Sequence, residues 1–198
     1  MNASARRILK SVFLVAALLT IVPPPALGQT PAPTNATNEA NPLLHGALPW
    51  ELADDTEAMM VLSVTDGDTV RLTYPDDDWY YNTRLIGVQA PEMDGPFTDE
   101  QCYGPEAKAF LQELLPAGTV VYAQQDVSDE DRNGRRLRHV FVIDEETGGA
   151  YLVSEVLILG GFAEARSYPP DDLFDDVLTE AQEIAERADD GLWDTCAA

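Results

Sequence analysis

Three short stretches hold residue types that do chemistry. Residues 66–69 read Asp-Gly-Asp-Thr. Two carboxylates in a tight turn are ordinary turn chemistry. The same turn can aim Asp68 as a hard oxygen ligand at a divalent cation, although it does not continue as a helix-loop-helix calcium loop. Residues 83–92 read TRLIGVQAPE, an apolar strand pattern bracketed by Arg84 and Glu92, two charges that a core excludes. Residues 131–138 read DRNGRRLR and hold Arg132, Arg135, Arg136 and Arg138. Guanidinium groups offer paired donors to phosphate oxygens. Alone, each stretch has a structural reading as a turn, an ion pair or a neutralised acidic patch. Together they supply a cation ligand, a carboxylate base and arginines. Those are the parts of metal-assisted phosphodiester hydrolysis, where a carboxylate takes a proton from water and guanidiniums stabilise charge on the phosphoryl oxygens.

These residues need a frame. MMVLSV and TVRLTY, separated by the Asp-Gly turn, read as a hairpin. WYYNTRLIGV reads as a third strand, TVVYAQQD as a fourth and LRHVFVID as a fifth. Between the third and fourth strands, Pro105 opens a helix with Ala107, Phe110, Leu111, Leu114 and Leu115 on one face. Asn133-Gly134 turns the chain between the last two strands and holds Arg135 near the barrel mouth. Two further helices are predicted near 150–160 and 171–189. The second is expected to turn Leu173, Val177, Ala181, Ile184 and Ala188 inward, with Gly191 as its cap. Three strands, a helix, two strands and two helices fit an α+β fold, a small five-stranded barrel with three packed helices.

The chain has 198 residues and a formal charge of −23. Residues 1–28 carry Arg6, Arg7 and Lys10, no acid, and the apolar run SVFLVAALLTIV before small residues at Ala26 and Gly28. This is the pattern of a secretory signal peptide, of the general secretory more than the twin-arginine kind, and too short for an ordinary membrane span. Residues 29–57, rich in Pro, Asn, Ala and Thr, read as a disordered linker, with His45 idle inside it. The domain proper is then 58–196. Beyond the leader, nine bases face 35 acids, with Lys108 the one lysine. That balance suggests a surface kept soluble in strong salt. Cys102 and Cys196 sit in a chain predicted to be exported, where an intramolecular disulfide is expected. Two free thiols or an intermolecular bridge are the alternatives.

The ordered set DGDT (66–69), RLIGVQAPE (84–92), YGPEA (103–107), DRNGR (131–135) and GLW (191–193) resembles the thermonucleases, or staphylococcal-nuclease-like domains, over residues 59–194. The resemblance implies an OB-fold (oligonucleotide-binding) barrel with three helices. It implies a secreted, calcium-dependent endonuclease that cleaves DNA and RNA with little sequence preference and leaves 3′-phosphate ends. It places Asp68 as a calcium ligand, Ala90 as a backbone-carbonyl ligand, Glu92 as general base, and Arg84 and Arg135 on the phosphate. Arg132, Arg136 and Tyr168 are further candidates for substrate contact. Gln89 departs from the pattern, which has an aspartate on the metal there. Its amide oxygen is still a possible ligand, with one charge fewer. The expected partners are DNA and RNA, with no membrane after signal cleavage, and a monomer. The competing reading is the same barrel holding nucleic acid without cutting it.

Overall fold

The computed structural model describes residues 41–95 and 99–196. The expected signal peptide and the linker up to residue 40 lie outside the described residues. The elements are β1 (Glu57–Asp66), β2 (Thr69–Thr73), β3 (Tyr81–Leu85), β4 (Val88–Gln89), α1 (Gly104–Leu114), β5 (Val120–Gln124) and β6 (Arg136–Ile143). They are followed by β7 (Ala150–Leu152), α2 (Val153–Leu159), β8 (Glu164–Ala165), α3 (Asp175–Ala188) and α4 (Leu192–Thr195).

The main sheet runs β3-β2-β1-β5-β6-β7, and a parallel pairing of β3 with β6 closes it. Five strands thus form the closed, mixed OB-type barrel expected from the sequence, and β7 extends it. In β1, Met59 and Val61 point inward at the strand period of two, and Val64 follows after a register shift between Val61 and Ser63. That irregularity lets one long strand bend around the barrel while keeping its apolar face on the core. Val70, Leu72, Leu85, Val121, Ala123 and Val140 complete the interior.

The expected third strand is broken. β3 ends at Leu85, and the chain turns at Gly87 (φ +78°), where a Cβ would collide with Leu178 of α3. The turn is fixed by the Ile86 amide, which donates to the Arg138 carbonyl at 3.1 Å. Ser154 Oγ holds the Ile86 carbonyl at 2.8 Å. The apolar continuity of RLIGV hid this corner. Its effect is to send β4 away from the barrel to pair with β8.

Two other expectations are corrected. α3 begins at Asp175 and buries Leu178, Ala181 and Ala185, while Leu173 and Ile184 are 55% and 44% exposed. The face that docks on α2 is the narrow, small-residue stripe, not the wider one that includes Ile184. Asp189, in the left-handed region at φ 53°, ends α3, whereas Gly191 opens the short α4. The linker also stops earlier than residue 57. Pro42–Leu44 form a 3-10 turn, Leu44 and Ala47 are buried, and Trp50 bridges to Ala150 on β7. Trp50 Nε1 donates to Glu155 Oε2 at 2.8 Å. His45 is not idle, because its ring packs 5.3 Å from that of Phe110 and 5.8 Å from that of Phe162. A few apolar residues inside a Pro/Asn-rich stretch decide its fate, and averaging over the stretch conceals them.

Cys102 and Cys196 are joined in an intramolecular disulfide across 94 residues. Closing a loop of that length removes unfolded-state entropy equivalent to roughly 4–5 kcal/mol. Reduction with dithiothreitol is therefore expected to lower the melting temperature by about 10 °C, measured by calorimetry. A shift under about 2 °C would show that the bridge constrains little.

Candidate active site

A cleft of about 560 Å³ opens beside the β1–β2 turn. Asp66, Asp68, Arg84, Gln89, Glu92, Arg132, Arg135 and Tyr168 line it. The three chemistry-bearing stretches therefore meet at one place, although each arrives on a different element. Asp68 stands in the turn between β1 and β2. Gly67 before it is demanded by packing, since a Cβ there would lie 2.6 Å from the Cβ of Ala90 and 3.0 Å from that of Ala107. The β2–β3 ladder sets Arg84 opposite Thr69 and so next to Asp68.

Asp68 and Arg84 form a buried ion pair, Nη1 to Oδ2, at 2.6 Å. The Ala90 amide donates to Asp68 Oδ2 at 3.0 Å, and Thr69 Oγ1 donates to Oδ1 at 2.9 Å. Burial pushes the Asp68 carboxyl above the usual range, outweighing the downward pull of Arg84 and of the Ala90 amide. Gln89 sits at the junction. Its Oε1 accepts from Arg84 Nη2 at 2.9 Å and from the Tyr168 hydroxyl at 3.1 Å. Its Nε2 donates to the Ala90 carbonyl at 3.1 Å and lies 3.4 Å from Glu92 Oε1. Glu92 is anchored from behind: its amide donates to Gln101 Oε1 and its carbonyl accepts from the Gln101 amide, both at 2.9 Å.

The oxygens present are of the kind that calcium takes: the Asp66 and Asp68 carboxylates, the Gln89 amide and the Ala90 carbonyl. They fit in chemistry but are poor in charge. Gln89 is neutral, and Asp68 already faces a guanidinium. Among the described residues, no group of three or more His, Cys, Asp or Glu side chains is placed to hold a metal.

The arginine-rich stretch divides. Arg132 and Arg135 face the cleft. Arg136, expected beside them on the substrate, instead donates to the Tyr74 hydroxyl at 3.0 Å and lies 3.7 Å over the Tyr81 ring. Arg138 is buried and pairs with Asp129 at 2.8 Å. The split follows from strand β6, which begins at Arg136 and takes the later arginines into the sheet. Sequence reasoning missed Asp66, Asp131, Asn133 and Asp171 as cleft residues. Asp66 and Asp131 lie inside motifs already singled out, and a closer reading of those motifs would have found them. Nothing in the sequence points to Asp171, which the chain returns from far away to hold the Ser128 amide at 2.7 Å.

Asp131 positions Arg135. Its Oδ1 accepts the amides of Asn133 and Arg135 at 2.8 and 2.9 Å, and its Oδ2 lies 2.7 Å from Arg135 Nε. Burial pushes its carboxyl up, but the hydrogen bonds from Arg135 and Asn133 outweigh burial and hold it below its ordinary 3.8. A carboxyl lowered in the folded state contributes stability above the ordinary value, and the contribution is lost as pH falls through the folded value. Asp131→Asn is expected to cost about 1 kcal/mol near pH 6, and the difference from wild type is expected to shrink as pH is lowered below the ordinary 3.8 toward the lower folded value. Urea unfolding across that range measures it. An equal difference throughout would remove the carboxylate charge from the explanation.

Residues 82–195 match the family described as Staphylococcal nuclease homologue. The chain is 32% identical over 138 residues to the Thermonuclease of Staphylococcus intermedius, a match covering 70% of this chain and 77% of that one. It is 32% identical over 133 residues to the Thermonuclease of Staphylococcus hyicus, covering 67% and 73%. It is 27% identical over 134 residues to an uncharacterized protein of Bacillus anthracis, covering 67% and 59%. The family match contains Arg84 on β3, the segment with Gln89 and Glu92, and the Arg135 loop, while Asp66 and Asp68 of the cleft lie before it. This chain belongs to the staphylococcal nuclease homologue family.

Proposed function

We propose that this protein is a secreted nuclease that hydrolyses phosphodiester bonds of DNA and RNA with little sequence preference. The observation that carries the reading is the convergence of Arg84, Arg135 and Glu92 on one cleft, in a chain similar to two proteins named Thermonuclease. Glu92 takes the proton of the attacking water, held toward the cleft by Gln101 behind it and Gln89 beside it. Arg84 and Arg135 meet the phosphoryl oxygens as negative charge grows on them, each already oriented by a carboxylate. Tyr168 and Arg132 complete the walls against the substrate. Asp68, the Ala90 carbonyl and, more weakly, Gln89 would hold one calcium ion. Bound there, calcium would supply positive charge to the phosphate. Cleavage on the side that leaves a 3′-phosphate, action as a monomer and export through the leader at 1–28 belong to the same proposal. Among the described residues no helix is long and apolar enough to cross a membrane.

One observation favours the second reading, a barrel that binds nucleic acid without cutting it: the Asp68 charge is already neutralised by Arg84. The two readings separate on incubation with plasmid and RNA. The nuclease reading expects cleavage, and loss of cleavage by about 10²–10⁴-fold in kcat for Glu92→Gln and Arg135→Ala. Binding without cleavage would select the second reading. Arg84→Ala is less clean, because it leaves Asp68 as an uncompensated buried charge.

Metal dependence is tested apart from this. A chelator is expected to abolish cleavage. Gln89→Asp is expected to lower the calcium needed for half-maximal rate about 10-fold, since it restores a charged oxygen. An unchanged requirement would place Gln89 away from the ion and leave it as a link between Arg84, Tyr168 and Glu92.

A further inference from the structure

The β2–β3 hairpin carries a second feature that the cleft does not use. Side chains of a strand alternate faces, so the pair Arg71 and Asn82, two residues along from Thr69 and Arg84 on both strands, lies on the same face as the catalytic arginine. The spacing between the pairs is about 7 Å. Arg71 and Asn82 line a shallow groove whose other walls include Asp66, Asn133 and Arg135, and those three also line the cleft. The groove and the cleft therefore adjoin at these three residues.

At the far end of this track stand Trp79 and Tyr80. They are 65% and 40% exposed, and their rings are stacked, 5.9 Å between centroids and 12° apart. Arg71 lies 5.1 Å over the Tyr80 ring, and its Nε lies 3.4 Å from Asn82 Oδ1. The loop that presents Trp79 is pinned rather than loose. The hydroxyl of buried Thr73 donates to the Trp79 carbonyl at 2.7 Å, and the Trp79 amide donates to Asp77 Oδ1 at 3.0 Å. A chain this acidic holds a stacked indole in water and links it through an arginine to its phosphate site.

We propose that this face is a platform for single-stranded nucleic acid, taking an unpaired base on Trp79 beyond the nucleotides held in the cleft. The proposal deepens the nuclease reading and rests on it for the polarity of the track, since the strand must pass Arg84 and Arg135 before it reaches the rings. Base-on-aromatic stacking is indifferent to sequence because every base has a π face. It also fits the local charge. Asp76, Asp77 and Asp78 in the same loop repel phosphates, so the contact must be made through the base, with Arg71 as the nearby cation. A duplex keeps its bases inside and gains nothing from the rings.

The test is fluorescence anisotropy with fluorescein-labelled tetrathymidylate and decathymidylate, in the presence of a chelator so that nothing is cut. The expected result is that wild type gains affinity from the short to the long strand, that Trp79→Ala loses about 10-fold on the long strand, and that Trp79→Phe recovers most of it. The same length-dependent gain in wild type and Trp79→Ala would overturn the platform, as would failure of wild type to bind the long strand. Trp79 is exposed, so the substitutions leave the core intact. The two proposals fail separately. Cleavage with an unchanged Trp79→Ala affinity removes the platform and leaves the nuclease. Weakened Trp79→Ala binding without any cleavage leaves the platform and removes the nuclease.

Discussion

A guanidinium and a carboxylate held 2.6 Å apart out of water, Arg84 and Asp68, tie the barrel to its cleft. Taking both charges out of water costs several kcal/mol each, and the surroundings show how that cost is met. Asp68 receives Thr69 Oγ1 and the Ala90 amide, and Arg84 adds contacts to the Asp68 carbonyl at 3.3 Å and to Gln89. The pair thus connects the β1–β2 turn, β3 and the segment after β4. Removing either partner strands the other charge and releases the backbone that presents Glu92. The carboxyl above its usual range and the cleft-lining arginine are two sides of one arrangement.

Around that pair the charge is unevenly distributed. The chain is strongly acidic, yet Arg84, Arg132 and Arg135 share one cleft, with Arg71 in the adjoining groove. Repulsion between a polyanion and the distant acids is screened beyond about 8 Å at moderate salt. Arginines a few ångströms from a phosphate are screened far less. In the proposed function the cleft arginines, which share their walls with Asp66, Asp68, Glu92, Asp131 and Asp171, would therefore weigh more on contact than the distant acids.

Much of this was legible in the sequence because it depended on local pattern. Alternation marked the strands, Pro105 the start of α1, and the motif order brought Asp68, Arg84, Glu92 and Arg135 to one site. What escaped depended on distant partners. The corner at Gly87 exists because Leu178 and Ser154 come to meet it. Arg136 leaves the cleft because Tyr74 and Tyr81 offer it an aromatic slot. Asp171 enters because the chain folds back from beyond β8. The strap anchored by buried Leu44 and half-buried Trp50 escaped for the opposite reason, since its few anchors were diluted by polar neighbours. Gln89 looked like a weakened ligand in the sequence, and the structure adds a role no spacing could suggest, a bridge between Arg84, Tyr168 and Glu92.

The parallel pairing of β3 with β6, and the strap laid over β7 through Trp50 and Ala150, have one more consequence. Strong salt removes the mutual repulsion that keeps acidic molecules apart, and open strand edges then become templates for edge-to-edge aggregation. Among the described residues, the barrel closes its edge where Thr83–Leu85 meet Arg136–Arg138, and Trp50 covers β7 at Ala150, which leaves β4 and β8 as the strands with open edges. Colloidal stability in brine would then rest on backbone hydrogen bonds turned inward as much as on surface carboxylates.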